Sequence, residues 1–196
     1  MARTRPNRIA SSTVRWSGRP PLLNPAWSLR TGRLLLRPVA WSDLPDLRAL
    51  KADPRVFAIM LGGVRGTVQV DQELAEDIQF WGAHGVGMWA VRDPVDFSFF
   101  GLVGIHARPD GRGMALRFAM SPDAQGRGYA SEAAGAALRF AHDQARLDQI
   151  VAVTRASNIA SRQVLGSIGM RACDTWERDG EMVLMYESRR YNPRLG

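Results

Sequence analysis

The 196-residue sequence contains one cysteine, one lysine and no long apolar run. The single cysteine, Cys173, excludes a disulfide within the chain and is compatible with a reducing compartment. A reactive thiol needs an electropositive, partly exposed setting, so we interpret a lone cysteine as a packing residue. No window approaches ~18 unbroken apolar residues, which argues against a membrane span. From these absences we expect a cytoplasmic protein that makes no membrane contact.

Acidic residues are absent from the first 37 positions, which hold eight of the 26 basic residues. The other 18 basic residues face all 19 acidic ones, so the rest of the chain carries a net charge of −1. The overall charge of +7 therefore belongs to the N-terminal segment. Because a nucleic-acid-binding domain normally carries its basic patch on folded surface, we do not expect a nucleic acid partner.

The composition divides the chain into three segments. Residues 1–28 are rich in Arg, Ser, Pro and Asn and lack the apolar core of a secretory signal. We predict a flexible arm here, with an organellar transit peptide or a mis-assigned start codon as alternatives. Residues 29–190 are predicted to form one domain, and residues 191–196 a tail. Trp27 and its apolar neighbours could dock on the domain or on a partner subunit, so a homodimer stays open.

Hydrophobic periodicity and turn residues predict an order of strands and helices. Strands are predicted at residues 31–39, 88–91, 99–105, 114–120 and 150–153, with a final hairpin at residues 170–176 and 182–187. Helices are predicted at residues 43–51 and 67–84, from about Arg127 to Ala141, and after Ser157. This order indicates an α/β (α+β) fold with one central sheet.

The turn between Met120 and the Ala-rich helix reads Ser121-Pro-Asp-Ala-Gln-Gly-Arg-Gly-Tyr-Ala130. The first N–H groups of a helix have no partner inside it, and the peptide dipoles make that end positive. Gly126 and Gly128 would let a bulky anion approach the backbone. Strand, glycine turn and helix N-terminus together predict a pyrophosphate site.

Three protein families have a turn of this kind. A nucleotide-triphosphate P-loop ends in Gly-Lys-Ser/Thr, whereas the only lysine here, Lys51, lies far upstream. A Rossmann turn requires a third glycine and an acid after the next strand, whereas here Ser131 follows and that strand ends in Thr154. Gln125-Gly-Arg-Gly-Tyr-Ala130 instead resembles the acetyl-CoA loop of the GNAT superfamily of N-acetyltransferases, Gln/Arg-x-x-Gly-x-Gly/Ala, at every fixed position.

The order of elements over residues 31–190 is also similar to the GNAT fold. The segment from Thr31 to Pro38 resembles the first strand of the branch that acetylates the N-termini of ribosomal proteins. The resemblance implies a mixed, mostly antiparallel sheet of about seven strands, splayed at the cofactor site and flanked by about four helices. It also implies an enzyme that uses acetyl-CoA as co-substrate and needs no metal. Its product would be an acetylated primary amine, on a protein N-terminus or a small molecule, made by direct transfer.

The resemblance assigns cofactor contacts to two strands, the glycine turn and a helix start. Main-chain groups near Phe118 and Met120 would bind the pantetheine and polarise the thioester, an oxyanion-hole role. Asn158, itself a good helix N-cap, would bind the pantetheine arm. Ser161, nearly one turn further along the same face of that helix, would protonate the departing thiolate, because the tyrosine that many members use is Leu165 here. The pyrophosphate would contact Gln125, Gly126, Arg127, Gly128, Tyr129 and Ala130.

The sequence leaves the base that deprotonates the amine open. The strand at residues 114–120 lacks the Glu that the family frequently has. His106 is the first candidate because a histidine ordinarily titrates near pH ~6.5, and Tyr186, Glu187 or a water chain are alternatives. We interpret Glu132, near the helix N-terminus, as structural.

Two questions about function also stay open. Without that Glu and that Tyr, a catalytically idle acyl-CoA-binding module, acting as a sensor or interaction domain, is the alternative to an enzyme. The acceptor could be a protein N-terminus, an antibiotic amine, a polyamine or an amino acid.

Overall fold

The computed structural model describes residues 24–111 and 113–191. Within these ranges the chain forms eight β-strands and five α-helices. The strands are β1 (Leu29–Arg30), β2 (Leu35–Pro38), β3 (Met88–Arg92), β4 (Phe99–Ala107), β5 (Met114–Met120), β6 (Gln149–Arg155), β7 (Arg171–Arg178) and β8 (Glu181–Arg189). The helices are α1 (Leu44–Ala52), α2 (Pro54–Phe57), α3 (Thr67–His84), α4 (Tyr129–Asp143) and α5 (Ile159–Ser167). No helix among these residues is both long and apolar enough to cross a membrane.

The described strands form one sheet in the order β1-β2-β3-β4-β5-β6-β8-β7. Neighbouring strands run antiparallel except β5 and β6, which are parallel. A parallel pair needs a crossover connection, and α4 supplies it between β5 and β6. This arrangement confirms the predicted α/β (α+β) fold with a mixed, mostly antiparallel sheet.

The predicted first strand at residues 31–39 is wrong in its boundaries. The chain instead makes two short strands, β1 and β2, which pair antiparallel across a turn. The Thr31 hydroxyl accepts a hydrogen bond from the Leu34 N–H at 3.0 Å, and the Thr31 N–H donates to the Leu34 carbonyl at 3.0 Å. A threonine side chain that bonds to nearby main chain competes with an extended ladder. The split accounts for eight strands where about seven were expected.

Two helical layers cover opposite faces of the sheet. On the α3 face, α1 and α3 bury apolar side chains at a helical spacing, among them Val70 and Leu74. On the α4 face, Ala133, Ala137 and Ala141 are fully buried. Their small side chains let α4 lie close to the strands, as the Ala-rich pattern predicts.

Side chains of β4 and β5 alternate between these two faces. Leu102 and Ala119 belong to the core under α3, whereas Val103 and Leu116 belong to the core under α4. The pairing of β4 with β5 has no register shift, so His106, four residues beyond Leu102, points to the α3 face.

The described end of the N-terminal segment packs on the domain. The Trp27 ring stacks on Trp81 with 5.0 Å between centroids, and the Trp27 carbonyl accepts a hydrogen bond from Trp89 Nε1 at 2.6 Å. Residues 1–23 of the predicted arm and residues 192–196 of the predicted tail lie outside the described residues. The division at residues 28/29 stays a prediction.

Candidate active site

A gap opens in the sheet between β5 and β6. In the described chain these strands pair only at Met114 opposite Ile150 and at Ala115 opposite Val151. Beyond that point β5 stays paired with β4 up to Met120, and β6 stays paired with β8 up to Arg155. The two strands therefore separate from Leu116 onward, which is the splay that the resemblance implies.

Main-chain groups of β5 face this gap at alternate residues. The Ser121 N–H donates to the Phe100 carbonyl on the β4 side at 2.8 Å. Successive residues of an antiparallel pair direct their N–H and C=O groups alternately to the two sides, so those of Phe118 and Met120 face β6. The Met120 carbonyl accepts a hydrogen bond from Gln125 Nε2 at 3.1 Å. The Gln125 side chain thus ties the turn to the strand end.

The glycine turn leaves a set of main-chain N–H groups without partners. Gly126 and Gly128 have φ of +73° and +76°, in the left-handed region that favours glycine. The first helical bond of α4 runs from the Glu132 N–H to the Gly128 carbonyl at 3.1 Å. None of the described residues accepts a hydrogen bond from the six preceding N–H groups, those of residues 126–131. We call these six groups the turn site; their chemistry suits a phosphate anion.

Glu132 and Arg33 hold the turn site in place. The Glu132 carboxylate accepts hydrogen bonds from the Thr31 hydroxyl at 2.5 Å and from Arg33 Nε at 2.8 Å. Arg33 also donates through Nη1 to the Arg127 carbonyl at 2.9 Å. Partial burial works against ionisation of Glu132, but the bonds from Thr31 and Arg33 outweigh it and lower its pKa below the ordinary value. These contacts agree with the structural interpretation of Glu132.

The side chains of Tyr129, Arg127 and Ala130 differ in how far they are packed against the domain. The Tyr129 ring stacks on Phe100 at 4.9 Å, and the Arg33 guanidinium lies 4.9 Å from its centroid. Only the main chain of Tyr129 thus belongs to the turn site. The Arg127 side chain is exposed and remains available to add positive charge, and Ala130 is half-buried at the start of α4.

Asn158 and Ser161 lie at the start of α5, directly after β6. Asn158 is 7% exposed, and its Oδ1 accepts a hydrogen bond from the Ser161 N–H at 3.0 Å, so it caps the helix. Ser161 is half-buried, and its hydroxyl makes no hydrogen bond with any described residue. Leu165 stands where the resemblance implies a tyrosine acid, and it is buried in the core. The acid role therefore stays assigned to Ser161, as predicted.

The three predicted catalytic residues do not meet at one point. His106 lies on the α3 face, where it stacks on Phe80 at 4.1 Å, and burial lowers its pKa. Tyr186 lies opposite Ala152 and is buried in the core under α4, the same side of the sheet as α5 and Ser161. His106 and Tyr186 are therefore on opposite faces.

Sequence reasoning missed Asp77. This residue of α3 is 7% exposed, and its Oδ1 lies 3.7 Å from His106 Nε2. Burial, the largest cause, raises the pKa of Asp77 to about 7. A signal was present, because Asp77 follows Leu74 by three residues and Val70 by seven, which places a carboxylate on the apolar stripe of the helix.

Two further sequence interpretations can be placed. Cys173 is exposed on β7, at the edge of the sheet, so its interpretation as a packing residue is wrong. Partial burial of the sulfur, followed by the charges of Glu187 and Asp174, raises its pKa, which makes it a poor nucleophile. Among the described residues no cluster of three or more His, Cys, Asp or Glu could hold a metal ion.

The family model of the acetyltransferase (GNAT) domain matches residues 33–171, well over half of the chain. The chain belongs to the GNAT acetyltransferase family. The predicted membership and the predicted acetyltransferase class are confirmed. The matched range runs from β2 to the start of β7 and includes the gap and the turn site.

Solved structures share the fold over most of their length. An acetyltransferase from Agrobacterium tumefaciens is 29% identical with a TM-score of 0.75, covering 88% of this chain and 99% of its own. The ribosomal L7/L12 alpha-N-protein acetyltransferase in complex with coenzyme A is 17% identical, with a TM-score of 0.67 and coverage of 81% and 95%. Spermidine N-acetyltransferase from Vibrio cholerae is 15% identical, with a TM-score of 0.67 and coverage of 82% and 97%. The last two likenesses show the fold alone.

Proposed function

We propose that this GNAT enzyme transfers the acetyl group of acetyl-CoA directly to a primary amine. One observation carries the proposal. The gap between β5 and β6 leads into the turn site, where six main-chain N–H groups at a helix N-terminus lack partners among the described residues. An extended thioester arm that ends in a pyrophosphate would satisfy both features.

The chain's own groups divide the work of the transfer. The turn site would bind the pyrophosphate, with Arg127 adding charge. Main-chain groups of Phe118 and Met120 that face the gap would bind the pantetheine arm and polarise the thioester carbonyl. Asn158 holds the N–H of Ser161 and so fixes the start of α5. The Ser161 hydroxyl would then protonate the thiolate that leaves.

Acceptors of two kinds follow from the names of the structural relatives. One of those proteins acetylates a ribosomal protein at its N-terminus, and the other acetylates spermidine, so both act on amines. We expect the same chemical class here. The acceptor panel should therefore hold short peptides with free N-termini, polyamines, amino acids and aminoglycosides.

The test is an acceptor screen with acetyl-CoA in which free thiol release is read. At least one amine should raise thiol release above the rate without acceptor, and mass spectrometry should find the acetylated amine. S-acetylpantetheine, which lacks the pyrophosphate, should need a KM at least about tenfold higher, about 1.4 kcal/mol of binding.

Two outcomes would contradict the proposal in different ways. Binding of acetyl-CoA without turnover of any amine would favour the catalytically idle module. Equal KM values for acetyl-CoA and S-acetylpantetheine would show that the turn site does not bind the pyrophosphate.

A further inference from the structure

We propose that Asp77 is the group that receives the proton from the acceptor amine, and that His106 is its positioning partner. The inference rests on the proposed function, since it assigns a residue to that reaction. It places the base on the α3 face, on a helix that ends at His84, far before β5 begins at Met114 in the sequence.

The first argument is the isolation of the Asp77 carboxylate. Asp77 is 93% buried, because its exposed fraction is 7%. None of the described residues donates a hydrogen bond to it, and His106 Nε2 at 3.7 Å is beyond hydrogen-bond distance. A mostly buried carboxylate that accepts no hydrogen bond from the described residues keeps its lone pairs free to take a proton.

The second argument is the tautomer of His106. Its Nδ1 lies 3.2 Å from the Ala107 carbonyl, and a carbonyl oxygen only accepts hydrogen bonds. Nδ1 therefore carries the hydrogen, and the lone pair of Nε2 faces Asp77. A lone pair that faces the carboxylate repels its negative charge, so His106 disfavours the anion of Asp77 and favours the protonated product of the transfer.

The third argument is position. On β4, His106 lies opposite Ala115, and Ala115 is the last β5 residue that pairs with β6. The gap begins one residue later, and neighbouring strands are about 4.8 Å apart. The pair of Asp77 and His106 is therefore next to the point where the strands separate, on the face opposite α4 and the turn site.

The fourth argument is the surrounding charge. Burial acts most strongly on Asp77 and raises its pKa, whereas the cations Lys51 and Arg117 lower it. The pair is faced from α1, α3 and β5 by Lys51, Glu73, Glu76, His84 and Arg117. Lys51 is paired with Glu73, and Arg117 donates a hydrogen bond to the Ala107 carbonyl, so neither is a dedicated partner of Asp77. The net result is a carboxylate with a pKa of about 7, which suits a base at neutral pH.

The proton balance of the step closes with these groups and solvent. The neutral amine nitrogen forms a bond to the thioester carbon, the carbonyl π electrons move to the oxygen, and the nitrogen gives one proton to an Asp77 carboxylate oxygen. The carbonyl then re-forms, the carbon–sulfur bond breaks, and the thiolate takes a proton from Ser161 or water. Asp77 returns its proton to solvent, and Ser161, where it is the donor, regains a proton from solvent before the next turnover.

The test compares Asp77→Asn with Asp71→Asn in the full chain. Asp71 lies on the same helix, is ion-paired with Arg48 and is not one of the groups that face the pair, so its variant controls for the loss of one carboxylate from α3. Asp77→Asn should lower kcat by roughly 10²–10⁴-fold at unchanged acetyl-CoA affinity, whereas Asp71→Asn should stay within about threefold of the parent chain. Circular dichroism and the acetyl-CoA Kd check that both variants fold.

The pH profile supplies a readout that a structural residue would not move. In the parent chain, kcat/KM should rise through a limb near pH 7 as Asp77 ionises, and this limb should be absent in Asp77→Asn. The acceptor amine also loses a proton as pH rises, and this gives a second limb in the profile. A peptide and a polyamine differ in basicity, so the amine limb should move between these two acceptors whereas the Asp77 limb should not. His106→Gln should move the Asp77 limb to lower pH.

Each result has a defined consequence. If the parent chain turns over and Asp77→Asn keeps its kcat and its limb near pH 7, the assignment of Asp77 is overturned while the proposed function stands. If the parent chain turns over no amine, the proposed function itself fails, whatever the variants do.

Discussion

The two faces of the sheet offer different kinds of chemical group. On the α4 face and in the gap, the groups are main-chain N–H groups of one short stretch, residues 126–131, together with the start of α5. On the α3 face, the groups are side chains that come from distant parts of the chain, Asp77 on α3 and His106 on β4.

The difference has a physical cause. A pyrophosphate binds through charge and repeated N–H donors, which any glycine turn at a helix N-terminus provides. Removing a proton from an amine requires one titratable group with a suitable pKa, and that pKa is set by burial and neighbours. The first requirement is met by local sequence, and the second by packing.

The largest expected effect is at Ser161. If its hydroxyl protonates the thiolate, Ser161→Ala should lower kcat by roughly 10²–10⁴-fold at unchanged acetyl-CoA Kd. Ser157→Ala, in the exposed turn before the same helix, is the control and should leave kcat unchanged. Retained kcat in Ser161→Ala would transfer the acid role to water or to Tyr186, which lies on the same face of the sheet as Ser161.

The next effect is the pH dependence of stability. Asp77 titrates at about 7 in the folded protein and near its ordinary value of 3.8 in the unfolded chain, so unfolding releases a proton between these values. The free energy of unfolding should fall as pH rises from about 4 to about 7, by at most about 4 kcal/mol, and Asp77→Asn should remove this slope.

Urea titrations of both chains at pH 5, 6, 7 and 8 measure the slope. Asp71→Asn is the control, because Asp71 is ion-paired with Arg48 at 2.6 Å and its pKa is lowered. Parallel curves for the parent chain and Asp77→Asn would show that Asp77 titrates normally, and the proposed base would lose its support.

A smaller effect is expected at the turn site. Gly126→Val should weaken acetyl-CoA binding at least about tenfold, since a branched side chain would cover the N–H groups. Gly180→Val is a matched control, because the two glycines have φ of +73° and +75° in open space but Gly180 lies in the β7–β8 hairpin. Equal Kd values for the two variants, measured by calorimetry, would show that covering the turn site does not affect binding.

The smallest effect is expected for the N-terminal arm. Deletion of residues 1–23 keeps Trp27 on Trp81 and should change acetyl-CoA affinity by less than about threefold, under ~0.7 kcal/mol. The reason is that the charge of the arm is separate from a nearly neutral domain. A larger loss in a chain that still folds would show that the arm takes part in the turn site.

Particular residues show how far sequence reasoning reaches. The bounds predicted for α3, residues 67–84, coincide with the observed helix, and the strands of the final hairpin begin and end within two residues of their predicted bounds. The first strand was wrong because the Thr31 side chain closes a turn that a propensity pattern does not show. His106 was the first candidate for the base, but its lowered pKa and its neutral tautomer make it the partner of Asp77 in the proposal above.

The sequence by itself determined the order of the elements, the glycine turn and the family. These features depend on residues close together in the chain, where backbone conformation and hydrogen bonding follow from residue type. Only the tertiary structure decided that β5 and β6 part after Ala115 and that α3 brings Asp77 to His106. The pKa of a carboxylate depends on how much water its neighbours exclude, and those neighbours are distant in sequence.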